Sequence, residues 1–298
     1  MGVGNSERPS RRAGWSHQSE LTGTFRRYIS IVDVIAIAAV PIVLLGMAVL
    51  PTGTERSLLF DFQNPELVTA FASHYVHFTA AHLASNVLGY LAVTPLAYLL
   101  AVESGRRRGF RVAYVTFVVA FPLALSALNL VVTRPGVTGG FSGIVMAFLG
   151  FVAFVLPEAV SRTVRTDVEA GLRSPWLFFL GLGLVAHLAG PGWLTGVAAA
   201  AVLAGLLLFL PVATAVGRPA PSAVRRAATE TGRLWLGLSG AVVFVGYLVA
   251  AFPADPAVDA GVVNLYVHLL GFALGYLATY VTVGLAGGEP RPDRRVRP

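Results

Sequence analysis

Apolar stretches near 31–51, 79–101, 112–133, 142–157, 175–190, 193–216, 233–252 and 262–284 alternate with short polar segments along the whole chain. A hydrocarbon core about 30 Å thick needs roughly 20 apolar residues per helix. The pattern therefore predicts an all-α fold, a polytopic transmembrane helical bundle of about eight spans, with the stretches at 142–157 and 175–190 short. The first apolar stretch follows some 30 polar residues and exceeds the ~7–15 residue core of a signal peptide, so it is expected to stay as an anchor.

Composition agrees with that pattern and narrows the function classes. Hydrophobic residues make up 55% of the 298 and charged residues 12%, too apolar for a soluble domain to cover with polar surface. The net charge of +7 comes from arginines in short clusters between apolar runs rather than on one basic face, so nucleic acid is not expected as a partner and the lipid bilayer is. Cysteine is absent, which excludes disulfides, thiolate metal sites and a cysteine nucleophile.

The arginines also set the orientation, because Lys/Arg-rich short loops mark the cytoplasmic side. With the N-terminus inside, 20 of the 22 arginines fall on inner segments, and only Arg56 and Arg134 fall outside. A multi-pass protein of the cell membrane with both termini cytoplasmic is expected. The tails, 1–30 and the basic 285–298, read as disordered or membrane-surface segments.

Ionisable groups inside spans mark function by default. Among the carboxylates only Asp33, at the start of the first span, is read as intramembrane. The histidines differ: His74, His77, His82, His187 and His268 all fall within or at the outer ends of apolar segments. Intramembrane hydrolysis requires a metal, paired aspartates or an activated serine. There is no H-E-x-x-H, so no metal and no cofactor is expected, and no two aspartates lie in facing spans. Serine with histidine remains.

The stretch VTGGFSGIVMAFLG, residues 137–150, puts Ser142 among glycines at the start of a span. With only about 16 apolar residues in that span, the preceding loop is expected to dip into the membrane, which is tolerated where backbone lines a water-filled cavity. A helix N-terminus offers free N–H groups and a dipole that stabilise developing negative charge. Gly139 and Gly140 permit a tight approach, and Gly143, Ala147 and Gly150 form one small-residue face. Taken alone, the motif reads first as a serine in a small-residue packing device.

Two further constellations add chemistry. HFTAAHLASN puts His82 and Asn86 four residues apart on one helical face, with His77 about a turn nearer the outer surface. Imidazole and carboxamide there can donate to an oxyanion, or simply join helices as a buried polar pair. NLYVHLLGFALGY gives His268 with Gly271 and Gly275 three and seven residues on, so a glycine stripe lines the histidine's face and allows close approach to the serine helix. His187, in VAHLAGPGWLTG, has Leu194 at the seventh place and Pro191 between; it is expected to be an interfacial residue.

Together these motifs resemble those of the rhomboid intramembrane serine proteases. The family's H-x4-H-x3-N, G-x-S-G and H-x2-G-x3-G occur here in order as His77/His82/Asn86, Gly140/Ser142/Gly143 and His268/Gly271/Gly275. The resemblance implies a six-helix core carried by 31–157 (spans one to four) and 233–284 (the last two), with 158–232 an inserted helix pair and cytoplasmic loop. It further implies Ser142 as nucleophile and His268 as general base, and an oxyanion hole from the Ser142 N–H, His82 and Asn86. The reaction implied is cleavage of single-span or multi-span membrane protein substrates near the outer membrane boundary. Two departures stand out: the family's Trp-Arg pair in the first outer loop is absent, and the aromatic residue that often follows the serine by four is Met146. The alternatives are a catalytically silent relative that binds transmembrane helices and a transporter that relays protons through histidine.

Overall fold

After Ser142 the sequence GIVMAFLGFVAFVL is apolar on every side, and a helix with no polar face belongs in the interior. The structure, a computed structural model, describes residues 29–132, 135–164, 173–189, 194–216, 231–253, 255–258 and 261–285. In it, 94% of an 18-residue window within Ser142–Arg162 is buried. Seven described helices are long and apolar enough to cross a membrane, and an eighth apolar helix, Pro175–Leu188, is shorter. The molecule is an all-α polytopic bundle. All but the innermost residues of the two expected tails, and the loop residues 217–230, lie outside the described residues.

In chain order the helices are α1 (Ile31–Ala48), the short α2 (Thr52–Ser57) and α3 (Leu67–Ala72), then α4 (Ala80–Glu103) and α5 (Arg107–Val115). Helix α5 continues through a π-helical turn at Thr116–Ala120 into α6 (Phe121–Asn129). The central α7 (Ser142–Val164) is followed by α8 (Pro175–Ala189), α9 (Leu194–Val216), α10 (Thr231–Ala251) and α11 (Leu265–Thr279). Two-residue strands β1 (Phe60–Asp61) and β2 (Val137–Thr138) pair antiparallel, as do β3 (Ala257–Val258) and β4 (Gly261–Val262).

Local chemistry explains how the apolar helices keep their backbone satisfied. Pro41 inside α1 has no N–H to offer the carbonyl four residues back, and that carbonyl, of Ile37, accepts the Tyr90 hydroxyl at 3.0 Å instead. The neighbouring Ala36 carbonyl accepts from Tyr114 at 2.5 Å. Asp33 is a structural residue: Tyr98, Arg107 and Arg111 all donate to its carboxylate, at 2.9, 2.9 and 2.7 Å. These pairings also let α5 begin at Arg107, five residues before the apolar run expected from 112, since guanidinium groups are tolerated in the helix when a carboxylate meets them.

The expectation that the serine helix is short is corrected. Helix α7 has 23 residues and runs through Pro157 and Glu158, a length of about 34 Å at 1.5 Å per residue. The apolar pattern stops at Glu158, but the helix does not, because the buried Arg106 guanidinium pairs with the Glu158 carboxylate through two bonds of 2.8 and 2.9 Å. Its remaining nitrogen donates to the Val283 carbonyl at 3.2 Å. Helix length alone therefore does not require the loop before Ser142 to dip.

Helices α4, α7 and α11 run parallel. At one end His82 of α4 lies against Gly140 just before α7, and at the other Arg106, just past α4, reaches Glu158. Along α11, Val267 and Gly271 face Gly143, Gly275 faces Ala147, and Tyr276 faces Gly150. The approach is at backbone level: a Cβ at Gly150 would lie 2.6 Å from the Tyr276 nitrogen, and one at Gly275 would meet the Ala147 carbonyl. Helices α8 and α9 pack as a hairpin through Gly183, whose Cβ would lie 3.1 Å from the Ala198 oxygen, and Gly205, whose Cβ would lie 3.0 Å from the Leu180 nitrogen. Helix α8 packs in turn on α7, α10 and α11, where its Phe178 stacks on Tyr276 with ring centroids 4.2 Å apart.

Candidate active site

Three parallel helices bring their N-terminal ends to one place. Ser142 is the first residue of α7, His82 the third of α4 and His268 the fourth of α11. The first bonds closing α7 run from the Ile144 and Val145 amides to the Phe141 carbonyl, at 3.0 and 3.1 Å. The Ser142 and Gly143 amides come before them, where helix N–H groups have no intrahelical acceptor. The positive ends of three helix dipoles point toward the same volume, a setting that favours negative charge.

The loop entering α7 is held from several sides. Its strand β2 pairs with β1, and the Gly140 amide donates to the Ser73 carbonyl at 2.9 Å. A Cβ at Gly139 would lie 3.1 and 3.2 Å from the Ser73 and Val76 oxygens. Gly140 has φ +121°, a conformation that favours glycine. A Cβ there would also lie 2.7 Å from His82 Nε2 and 3.5 Å from Asn86 Nδ2. The imidazole and carboxamide ends thus meet at the backbone two residues before the serine.

His82 and Asn86 are oriented by their own helix. Thr79 caps α4 by accepting from the His82 amide at 3.1 Å, and the His82 ring stacks on Phe78 at an interplanar angle of 7°. Asn86 is buried and spends one N–H on the His82 carbonyl at 3.1 Å; a carboxamide carries a second.

His268 sits on the other side of Gly143. That glycine faces Val267, the residue before the histidine, and Gly271, one turn after it, so Ser142 and His268 belong to adjoining turns of α7 and α11. Asn264 caps α11 by accepting from the Val267 amide at 3.2 Å, and donates to Asn129 at 3.3 Å. His268 Nδ1 lies 2.8 Å from the Ala251 carbonyl oxygen. A carbonyl accepts only, so Nδ1 carries the proton and Nε2 of the neutral ring is the free acceptor. The ring is 6% exposed.

The remaining histidines separate by environment. Ser126 Oγ donates to the Ala70 carbonyl at 2.7 Å and therefore accepts from His74 Nε2 at 3.1 Å; His74 ties the turn at Ser73–Tyr75 to α6. Burial holds the His74 imidazole well below its ordinary range, at about 4. His77 packs edge to face on His82, with ring centroids 5.1 Å apart, and burial, with His82 beside it, holds it down to about 3. Both are neutral rings at pH 7. His187 is exposed near the end of α8.

The sequence reading missed three supports of this region: the Asn264 cap, the Ala251 carbonyl and Phe252, whose ring meets His268 edge to face at 5.9 Å. Asn264 had a signal, a cap residue directly before the apolar run of α11. A backbone carbonyl leaves no trace in the residue pattern. Among the described residues no cluster of three metal-ligating side chains occurs.

Compared with protein-family models, with curated proteins and with solved structures, the chain finds no match.

Proposed function

We propose that this protein is an intramembrane serine endopeptidase of rhomboid type. The observation that supports the reading best is the convergence of the N-terminal ends of parallel helices: a Cβ on Gly140 would meet His82 and Asn86, and two residues later Ser142 begins the helix whose Gly143 packs on Val267 and Gly271 of the His268 helix. The His77/His82/Asn86, Gly140/Ser142/Gly143 and His268/Gly271/Gly275 motifs support it independently.

In this reading Ser142 Oγ attacks the scissile carbonyl carbon while His268 Nε2 takes its proton. The oxyanion forms at the N-terminal end of α7, where the Ser142 N–H, a His82 ring N–H and the second Asn86 N–H serve as donors. The imidazolium then gives its proton to the departing amine. Water, deprotonated by the same histidine, hydrolyses the acyl-serine and restores the hydroxyl. No carboxylate takes part. Substrates are single-span or multi-span membrane proteins, cut near the outer boundary where a helix unwinds readily, since a carbonyl inside a regular helix is already hydrogen-bonded.

The finer architecture belongs to the same proposal: a six-helix core of α1, α4, α5–α6, α7, α10 and α11, with α8 and α9 inserted as an added pair and both termini cytoplasmic. The parallel run of α7 and α11 requires an odd number of crossings between them, and three, by α8, α9 and α10, meets that requirement.

The test is cleavage of a panel of single-span proteins in liposomes by the wild type, Ser142→Ala and His268→Ala, with fluorophosphonate labelling alongside. Cleavage and labelling by the wild type, both lost in Ser142→Ala, are expected. A wild type that binds such helices without cutting or labelling is the silent relative instead, and residual cleavage by Ser142→Ala within about tenfold of wild type sinks the nucleophile.

A further inference from the structure

A serine and histidine pair without a carboxylate leaves open what fixes the imidazole, which must keep one tautomer and one orientation and then tolerate a positive charge. In this chain the aromatic support expected four residues after the serine is missing: Met146 stands there, with its Cβ facing Gly271. The surroundings of His268 supply another answer, and it comes from a single element.

Helix α10 ends at Ala251, and the last carbonyls of a helix have no intrahelical donor. The Ala251 carbonyl is aimed at His268 Nδ1, 2.8 Å away. The next residue, Phe252, is 1% exposed and sets its ring against the imidazole with an interplanar angle of 85°. The Phe252 amide closes the last turn on the Leu248 carbonyl at 3.2 Å, so carbonyl and ring are held by the same turn. The C-terminal end of a helix also carries partial negative charge, which favours a cation beside it.

Resting on the peptidase reading above, we propose that the C-terminal turn of α10 does the work a carboxylate does in a three-residue catalytic set: the Ala251 carbonyl fixes the His268 tautomer, the helix end stabilises the imidazolium, and Phe252 is the positioning residue that holds the ring on that carbonyl. The proton on Nδ1 stays with the histidine throughout, and only Nε2 gains and returns one. The element doing this lies at the periphery of the bundle, since 17% of its 18-residue apolar window is buried against 94% of that of the serine helix. Histidine alignment therefore depends on how α10 is seated.

Nitrogen-15 NMR of histidine-labelled protein reads the tautomer directly, and does so whether or not the protein cleaves anything. The wild type is expected to show His268 as the Nδ1–H form, and Phe252→Ala a mixture of tautomers. In kinetics Phe252→Ala is expected to lose about tenfold or more in kcat with KM nearly unchanged, as a misplaced catalytic group does. Phe252→Tyr, which keeps the ring, recovers most of it. Phe244→Ala is the control: it removes a buried ring from the same helix, one that packs on Phe272 rather than on His268, and should lose stability while keeping kcat. An Nε2–H tautomer in the wild type, or a Phe252→Ala enzyme no slower than Phe244→Ala, overturns the proposal while leaving a Ser142-dependent peptidase standing. A wild type that shows the Nδ1–H form but neither cleaves nor labels fails the peptidase reading, and with it the catalytic role given to α10.

Discussion

Gly271 and Gly143 meet backbone to backbone: the place a Cβ would take on Gly271 is already filled by the Gly143 carbonyl oxygen. Nothing flexible lies there to move aside. Gly271→Ala should therefore push α11 off α7 and cost about 3 kcal/mol or more, at or beyond the upper end of ordinary overpacking. Gly46→Ala is the matched control, because a Cβ on Gly46 meets nothing within 4 Å, and alanine is the better helix former. Thermal melting in detergent should drop clearly for the first and hold or rise slightly for the second. Equal melting temperatures would show that the two helices are not packed this closely.

Arg106 and Glu158 give a second test at the opposite end. Both are buried and joined by two hydrogen bonds, and Arg106 also reaches the Val283 carbonyl. Removing one partner strands the other charge, so Glu158→Ala should destabilise by about 3–5 kcal/mol. The double change Arg106→Met with Glu158→Leu removes both charges and should recover most of that loss. If the double variant melts no higher than the single one, the carbonyl contact rather than the ion pair holds the C-terminal ends of α7 and α11 together.

What could be read from the sequence, and what could not, follows from the range of each interaction. Offsets of three, four and seven residues settle which side chains share a helix face, so the stripe of Gly271 and Gly275, and the face shared by His82 and Asn86, were legible from spacing alone. Apolar run length gave the helices to within a few residues, except where a charge is cancelled by a distant partner. Glu158 ended the apolar pattern of α7 and Arg111 delayed that of α5, yet both helices continue across them because Arg106 and Asp33 stand opposite. Such pairings join residues 52 and 78 positions apart, and no local pattern announces them. The Ala251 carbonyl is harder still, since every residue has one and only the fold decides where it points.

The last prediction separates the donors at Gly140 from a structural polar pair. His82 Nε2 and Asn86 Nδ2 lie 2.7 and 3.5 Å from where a Cβ on Gly140 would stand, and under the proposed reaction the carbonyl oxygen of the substrate takes on charge beside them. Donors that act mainly in the transition state lower kcat when removed, each by about 10² to 10³, while KM changes little. His82→Ala and Asn86→Ala should show that split, and the double variant should lose less than the product of the two, because both donors serve one oxygen. Stability has to be measured alongside, since Asn86 also donates to the His82 carbonyl within α4 at 3.1 Å. Asn86→Leu serves that purpose: it fills the buried site with a side chain of similar size that cannot donate. An Asn86→Leu enzyme that melts near wild type and turns over slowly places the carboxamide on the oxyanion, whereas one that melts near wild type and turns over normally removes Asn86 from the reaction.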